Sequence, residues 1–68
     1  MNYRIFKEVK NNVLTYGIAV DHGNVIDIIV SDISSDIDFV DDIVNKCNKF
    51  DVSEMHVKDV VCDFLAET

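Results

Sequence analysis

The chain has no proline and no tryptophan, only two glycines and two cysteines, and no lysine or arginine between Asn11 and Asn45. With nearly half the residues apolar, a disordered tail is excluded in favour of a folded domain, and with no proline and few glycines regular elements should dominate and turns be few. Two cysteines do not make a disulfide scaffold and fit a reducing compartment. No apolar run approaches the roughly 20 residues of a membrane span, and the opening Met1–Glu8 stretch has none of signal-peptide length. The expectation is a cytoplasmic protein that does not enter a membrane. The basic-free stretch carries Asp21, Asp27, Asp32, Asp36, Asp38, Asp41 and Asp42, and the formal net charge is −7. Such a surface repels phosphate backbones, so direct nucleic-acid binding is not expected.

Familiar chemical motifs are also missing. There is no C-x-x-C pair, and two cysteines with two histidines lack the usual spacing of a zinc site. The run Asp36 to Asp42 lacks the glycine and distal glutamate of a calcium loop. No glycine-rich phosphate loop and no Ser-His-Asp order is present. The reading is therefore no metal, no cofactor, no catalytic residue and no enzyme. His22 reads as a solvated turn residue. His56, Asp59 and Asp63 share one side of a helix and read as a local polar contact.

What is present is a pattern. Leu14, Tyr16, Ile18 and Val20 alternate with Thr15, Gly17 and Ala19, the period of a strand with one apolar face. Tyr3–Lys10 alternates in the same way, and Asn11-Asn12 between the two stretches suits a two-residue hairpin turn. That turn sets Val9 opposite Leu14, Lys7 opposite Tyr16, Ile5 opposite Ile18 and Tyr3 opposite Val20. For the next turn, a three-residue loop of His22, Gly23 and Asn24 pairs Val20 with Ile26, Ile18 with Ile28 and Tyr16 with Val30, and it keeps Asp27 out of the core. Arg4, Ala19 and Asp27 then share a row on the outer face, and Phe6, Gly17 and Ile29 share the next.

Two helical patterns follow. Ser34 or Ser35 is the expected N-cap of the first, with Asp36 and Asp38 in its first turn. Val40, Ile43, Val44 and Cys47 form its buried stripe, widened by Ile37, Phe39 and Phe50. Asn48 suits a left-handed position at its end. Ser53 is the expected N-cap of the second helix, whose apolar face is Val57, Val60, Val61, Phe64 and Leu65, with Val52 stapling onto Val57. Cys47 reads as a buried apolar residue and Cys62 as a flank residue too distant to bond to it. Consecutive strands followed by consecutive helices give one α+β domain over residues 1–68: a two-layer βββαα fold, an antiparallel meander of order 1-2-3 against an antiparallel helical hairpin.

Thr15-Tyr16-Gly17-Ile18, Asp32-Ile33-Ser34, Cys47-Asn48, His56, Asp59-Val60-Val61 and Asp63-Phe64-Leu65 resemble a family of short, uncharacterised bacterial proteins. The resemblance covers Tyr16 to Leu65. It implies a single-domain cytoplasmic protein with no assigned activity, and it makes Asn48, His56, Asp59 and Asp63 the polar positions of first interest. The sequence as a whole points to a small acidic protein-interaction or regulatory module. Its expected partner is a second copy, joined through Phe6, Gly17 and Ile29 or an open strand edge, or else another protein. The alternative is an acidic inhibitor that mimics nucleic acid, with Asp36, Asp38, Asp41 and Asp42 facing a basic partner.

Overall fold

A computed structural model describes residues 2–67, with elements in the order β1 (Asn2–Lys10), β2 (Val13–Asp21), β3 (Ile26–Ser34), α1 (Ile37–Lys49) and α2 (Glu54–Ala66). The sheet is antiparallel with order β1-β2-β3. Both helices pack on its inner face, so the architecture is the expected βββαα. Asn11 and Asn12 adopt φ of 51° and 67°, as a two-residue hairpin turn with positive φ at both positions demands. The β1–β2 register is the one read from the sequence, from Tyr3 opposite Val20 to Val9 opposite Leu14. This brings Tyr3, Tyr16, Ile18 and Val20 onto Val40, Ile43, Val44 and Cys47 of α1 and onto Val57 and Val61 of α2.

The β2–β3 register differs from the expectation. Four residues, His22–Val25, separate the strands, and Val20 pairs with Asp27 and Ala19 with Ile28. The ladder then slips: Ile18 pairs with Val30, and Tyr16 pairs with Ser34. Ile29 is an extra residue between two rungs, and a wider irregularity follows at Ser31–Ile33. The bulges let Ile29, Val30 and Ile33 all pack against the core, whereas an unbroken strand would send alternate residues outward. Two sequence expectations change. Ile29 does not share the outer face with Phe6, because the four-residue loop shifts the register by one and sets Ile29 inward, and the bulge then adds Val30 beside it. Ile26 and Ile28 point outward instead, each 54% exposed. Asp27 lies on the helix side, at the open margin of the sheet, where its side chain stays 60% exposed. Its position there removes the desolvation cost that argued for an odd loop. Arg4 accordingly pairs with Asp21, at 3.3 Å, and not with Asp27.

Gly17 explains where the ladder slips. A Cβ at this position would lie 2.3 Å from the Val30 carbonyl oxygen and 2.9 Å from Ser31 Cα. The β3 backbone therefore crosses β2 more closely than any side chain permits. Asp32 takes the positive φ, 54°, that the irregularity requires. The Thr15 hydroxyl, buried in the central strand, lies 2.8 Å from Asp32 Oδ1 and 3.3 Å from the Ser34 carbonyl.

The N-cap of α1 is Asp36, not a serine. Its Oδ1 accepts from the backbone N–H of Asp38 and Phe39, at 3.0 and 3.4 Å, while Ser34 Oγ accepts from the Asp36 N–H. Ser34 is still strand, so the cap falls two residues later, on Asp36. At the other end, the Val52 N–H reaches the Cys47 carbonyl and the Asp51 N–H reaches the Asn48 carbonyl. With Asp51 at φ 48°, this is a Schellman closure in which Asp51, not Asn48, is the left-handed residue. Ser53 stands at the N-cap of α2 without a side-chain capping bond. Phe39 and Phe64 meet edge to face at 6.1 Å, so the end of α2 lies against the start of α1. Val57 and Val61 are buried, but Leu65 remains 44% exposed, because the last turn of α2 runs past the core.

Two substitutions test this frame by urea unfolding. Ile18→Ala, at a fully buried site, should cost about 2–5 kcal/mol. Gly17→Ala should cost roughly 1–3 kcal/mol even though it adds apolar surface, because backbone must move to admit the methyl group. A neutral Gly17→Ala would contradict the close crossing.

Candidate functional site

The outer sheet face is built from small residues in the middle and larger ones beside them. Gly17 and Ala19 in β2 are shielded, Ala19 to 2%. Phe6 flanks Gly17 on β1, and Ile28 flanks Ala19 on β3. Ile26 extends the apolar surface beside Asp21. Of the three residues expected to form this patch, Phe6 and Gly17 are adjacent and Ile29 is absent from it.

The acidic residues of α1 do not act as one group. Asp36 is occupied by the helix cap. Asp38, Asp41 and Asp42 are exposed, and Asp41 Oδ2 lies 3.4 Å from Asn45 Nδ2. A carboxylate in the first turn and lysines in the last, at Lys46 and Lys49, match the helix dipole.

The four polar positions also separate. Asn48 is a tie between layers: its Oδ1 accepts from the Tyr3 N–H at 2.7 Å and its Nδ2 donates to the Tyr3 carbonyl at 2.9 Å. It occupies the free edge of β1 as a neighbouring strand would. Tyr3 anchors the same junction, its hydroxyl donating to the Val52 carbonyl. Burial, followed by the nearby Cys47 and the acidic groups of Glu54 and Asp51, pushes the Tyr3 phenol above its usual range and keeps it a donor. His56 and Asp59 pair at 3.6 Å with both side chains largely exposed, a contact of little energetic weight. Asp63 lies elsewhere, with Lys46, Val60 and Phe64 around an open cavity of about 390 Å³; Lys46 Nζ stands 5.2 Å from the Phe64 ring centre. Cys47 is fully buried, and burial raises its thiol above the ordinary value, which keeps it protonated and inert. Cys62 is exposed, and neither cysteine is bonded.

One constellation has no counterpart in the sequence reading. His22 Nε2 lies 3.2 Å from Asp27 Oδ2 and 3.4 Å from Glu54 Oε1. The loop carrying His22 is held by Asp21, whose Oδ1 accepts from the Gly23 N–H at 2.8 Å, and by the His22 N–H donating to the Val25 carbonyl at 2.9 Å. Gly23 supplies a φ of 98°. His22 is thus not a freely solvated turn residue. Three elements meet here, and no local spacing signals the meeting. The even loop that moved Asp27 to the helix side is what creates it.

A family model matches residues 1–67. The chain belongs to DUF6514, a family of unknown function. No curated protein and no solved structure matches it at a significant level. Among the described residues of this DUF6514 chain, no helix is long and apolar enough to cross a membrane.

The Asn48 tie has a measurable weight. Asn48→Ala should destabilise the fold by about 1–3 kcal/mol in urea, since it strands the Tyr3 N–H and C=O at a partly buried edge. Hydrogen exchange at the Tyr3 amide should accelerate by at least the corresponding factor. Unchanged exchange would mean that the side chain does not seal the edge.

Proposed function

We propose that the chain is a small non-enzymatic interaction module whose outer sheet face joins two copies of itself. The observation that supports this is the pair Ile26 and Ile28, each 54% exposed on the outer face, with Ile28 opposite the shielded Ala19. Both helices pack on the opposite face, so among the described residues no element covers it. A chain of this size buries a modest fraction of its surface, and an apolar face of this kind favours a protein contact. The two sheet edges are unequal in the same sense. Asn48 occupies the β1 edge at Tyr3, and β1 carries Arg4, Lys7, Glu8 and Lys10, whereas Asp27 is the only charged residue of β3 before Asp32. Charge and an occupied edge both discourage strand addition on the β1 side, which favours the β3 side of the outer face for the proposed contact. A two-fold axis there presents the same patch from each copy, which is self-complementary.

Light scattering on the wild type and on Ile26→Ser/Ile28→Ser tests the reading. The expected result is a concentration-dependent dimer that becomes monomeric in the double variant while far-ultraviolet circular dichroism is unchanged. A wild type that stays monomeric at millimolar concentration overturns it. A dimer untouched by the double variant removes the outer face from the contact.

A further inference from the structure

We propose that His22, Asp27 and Glu54 bind a divalent first-row transition-metal ion of the zinc class, clasping the β2–β3 turn to the start of α2. The donor atoms are the first argument. Two carboxylate oxygens approach the same imidazole nitrogen at 3.2 and 3.4 Å, and no pair among the three donor atoms is more than 4.8 Å apart. A metal with bonds of about 2.0–2.2 Å to nitrogen and oxygen sets its donors about 2.9–3.5 Å from one another, and both distances to Nε2 fall in that range. Charge is the second. Two carboxylates bring −2 to the site, and a dication with a neutral imidazole balances it. The chemistry of the set is the third: one imidazole nitrogen with two carboxylate oxygens suits a borderline ion better than calcium or magnesium, which take oxygen alone. Three protein ligands leave at least one position for water.

The site is also held before any ion arrives. Asp21 fixes the loop through Gly23 and is itself engaged by Arg4. The His22 N–H closes the turn on Val25. Asp27 is set by its rung opposite Val20, and Glu54 is the first residue of α2. His22 and Glu54 side chains are each a little over one-third exposed, and Asp27 is 60% exposed, which leaves an entry path. Ligands drawn from a turn, a strand and a helix make binding report on the assembled fold and not on a local peptide.

Cobalt(II) serves as the probe, because its visible absorption reports coordination, and zinc serves as the competitor. The experiment uses the full chain carrying Cys62→Ser, which removes the exposed thiol. The expected result is saturable binding of one cobalt ion per chain, displaced by zinc, with a saturable rise in Tm for either metal. His22→Gln, Asp27→Asn and Glu54→Gln should each weaken binding by about tenfold or more, since even loss of an outer-shell partner typically costs that much. Their circular dichroism without metal should match the parent. His56→Gln, at the other histidine, should leave binding unchanged. No saturable cobalt binding in the parent overturns the proposal and leaves the three residues as an ion pair. Binding that survives the three substitutions but is lost in His56→Gln overturns it equally.

Discussion

The close crossing at Gly17 is the constraint from which the rest of the structure follows. The β3 backbone passes where a Cβ would stand, so the third strand can slip against the second there. The slip lets nine residues of β3 run beside the six residues from Tyr16 to Asp21. The extra residues turn Ile29, Val30 and Ile33 toward the helices together. A regular strand continuing from Asp27 and Ile28 would send Val30 to the outer face. The bulged one supplies the edge of the core with more apolar volume than alternation allows, and it still leaves Ile26 and Ile28 outside. Asp32 and Thr15 then hold the irregular end in place through one side-chain hydrogen bond.

The helical layer is attached by different means. Its apolar stripe on α1 rests on Tyr16, Ile18 and Val20, but its position along the sheet is set at one corner, by polar groups. Asn48 and Tyr3 exchange two hydrogen bonds, the Tyr3 hydroxyl reaches the Val52 carbonyl, and the Schellman closure on Cys47 and Asn48 fixes the chain between them. Apolar contacts are non-directional; hydrogen bonds at a helix end select one register among several that would bury similar area. The same corner directs the connection that brings Glu54 up to His22.

Much of this was legible in the sequence. The first hairpin follows from Asn11-Asn12 and from coincident apolar faces, and both expected helices are present. What could not be read has identifiable physical reasons. Parity favours an odd loop, but the four-residue loop shifts the ladder by one, so Ile28 and Ile29 exchange faces and Asp27 moves to the helix side; β3 is then broken twice, which no alternation pattern anticipates. Ser34, Ser35 and Asp36 can all cap a helix; the choice fell to Asp36 because the strand continues to Ser34. Asn48 at a helix end reads locally as a left-handed residue, yet a backbone partner 45 positions away claimed its side chain. His22, Asp27 and Glu54 show no periodicity or motif because the β2–β3 loop length and the α1–α2 turn together decide whether they meet.

The seal on β1 has a consequence for the order in which the molecule is made. A chain growing from its amino terminus completes all three strands before Asn48 is added. During that interval the meander carries two bare edges and an uncovered apolar face on the side that α1 will later protect. Arg4, Lys7, Glu8 and Lys10 lie along the first edge, and their charges guard it against pairing with a neighbouring chain. The lysines and arginine of the amino-terminal strand, set against an otherwise acidic molecule, thus put charge on an edge that stands open until the chain's own helix arrives to close it.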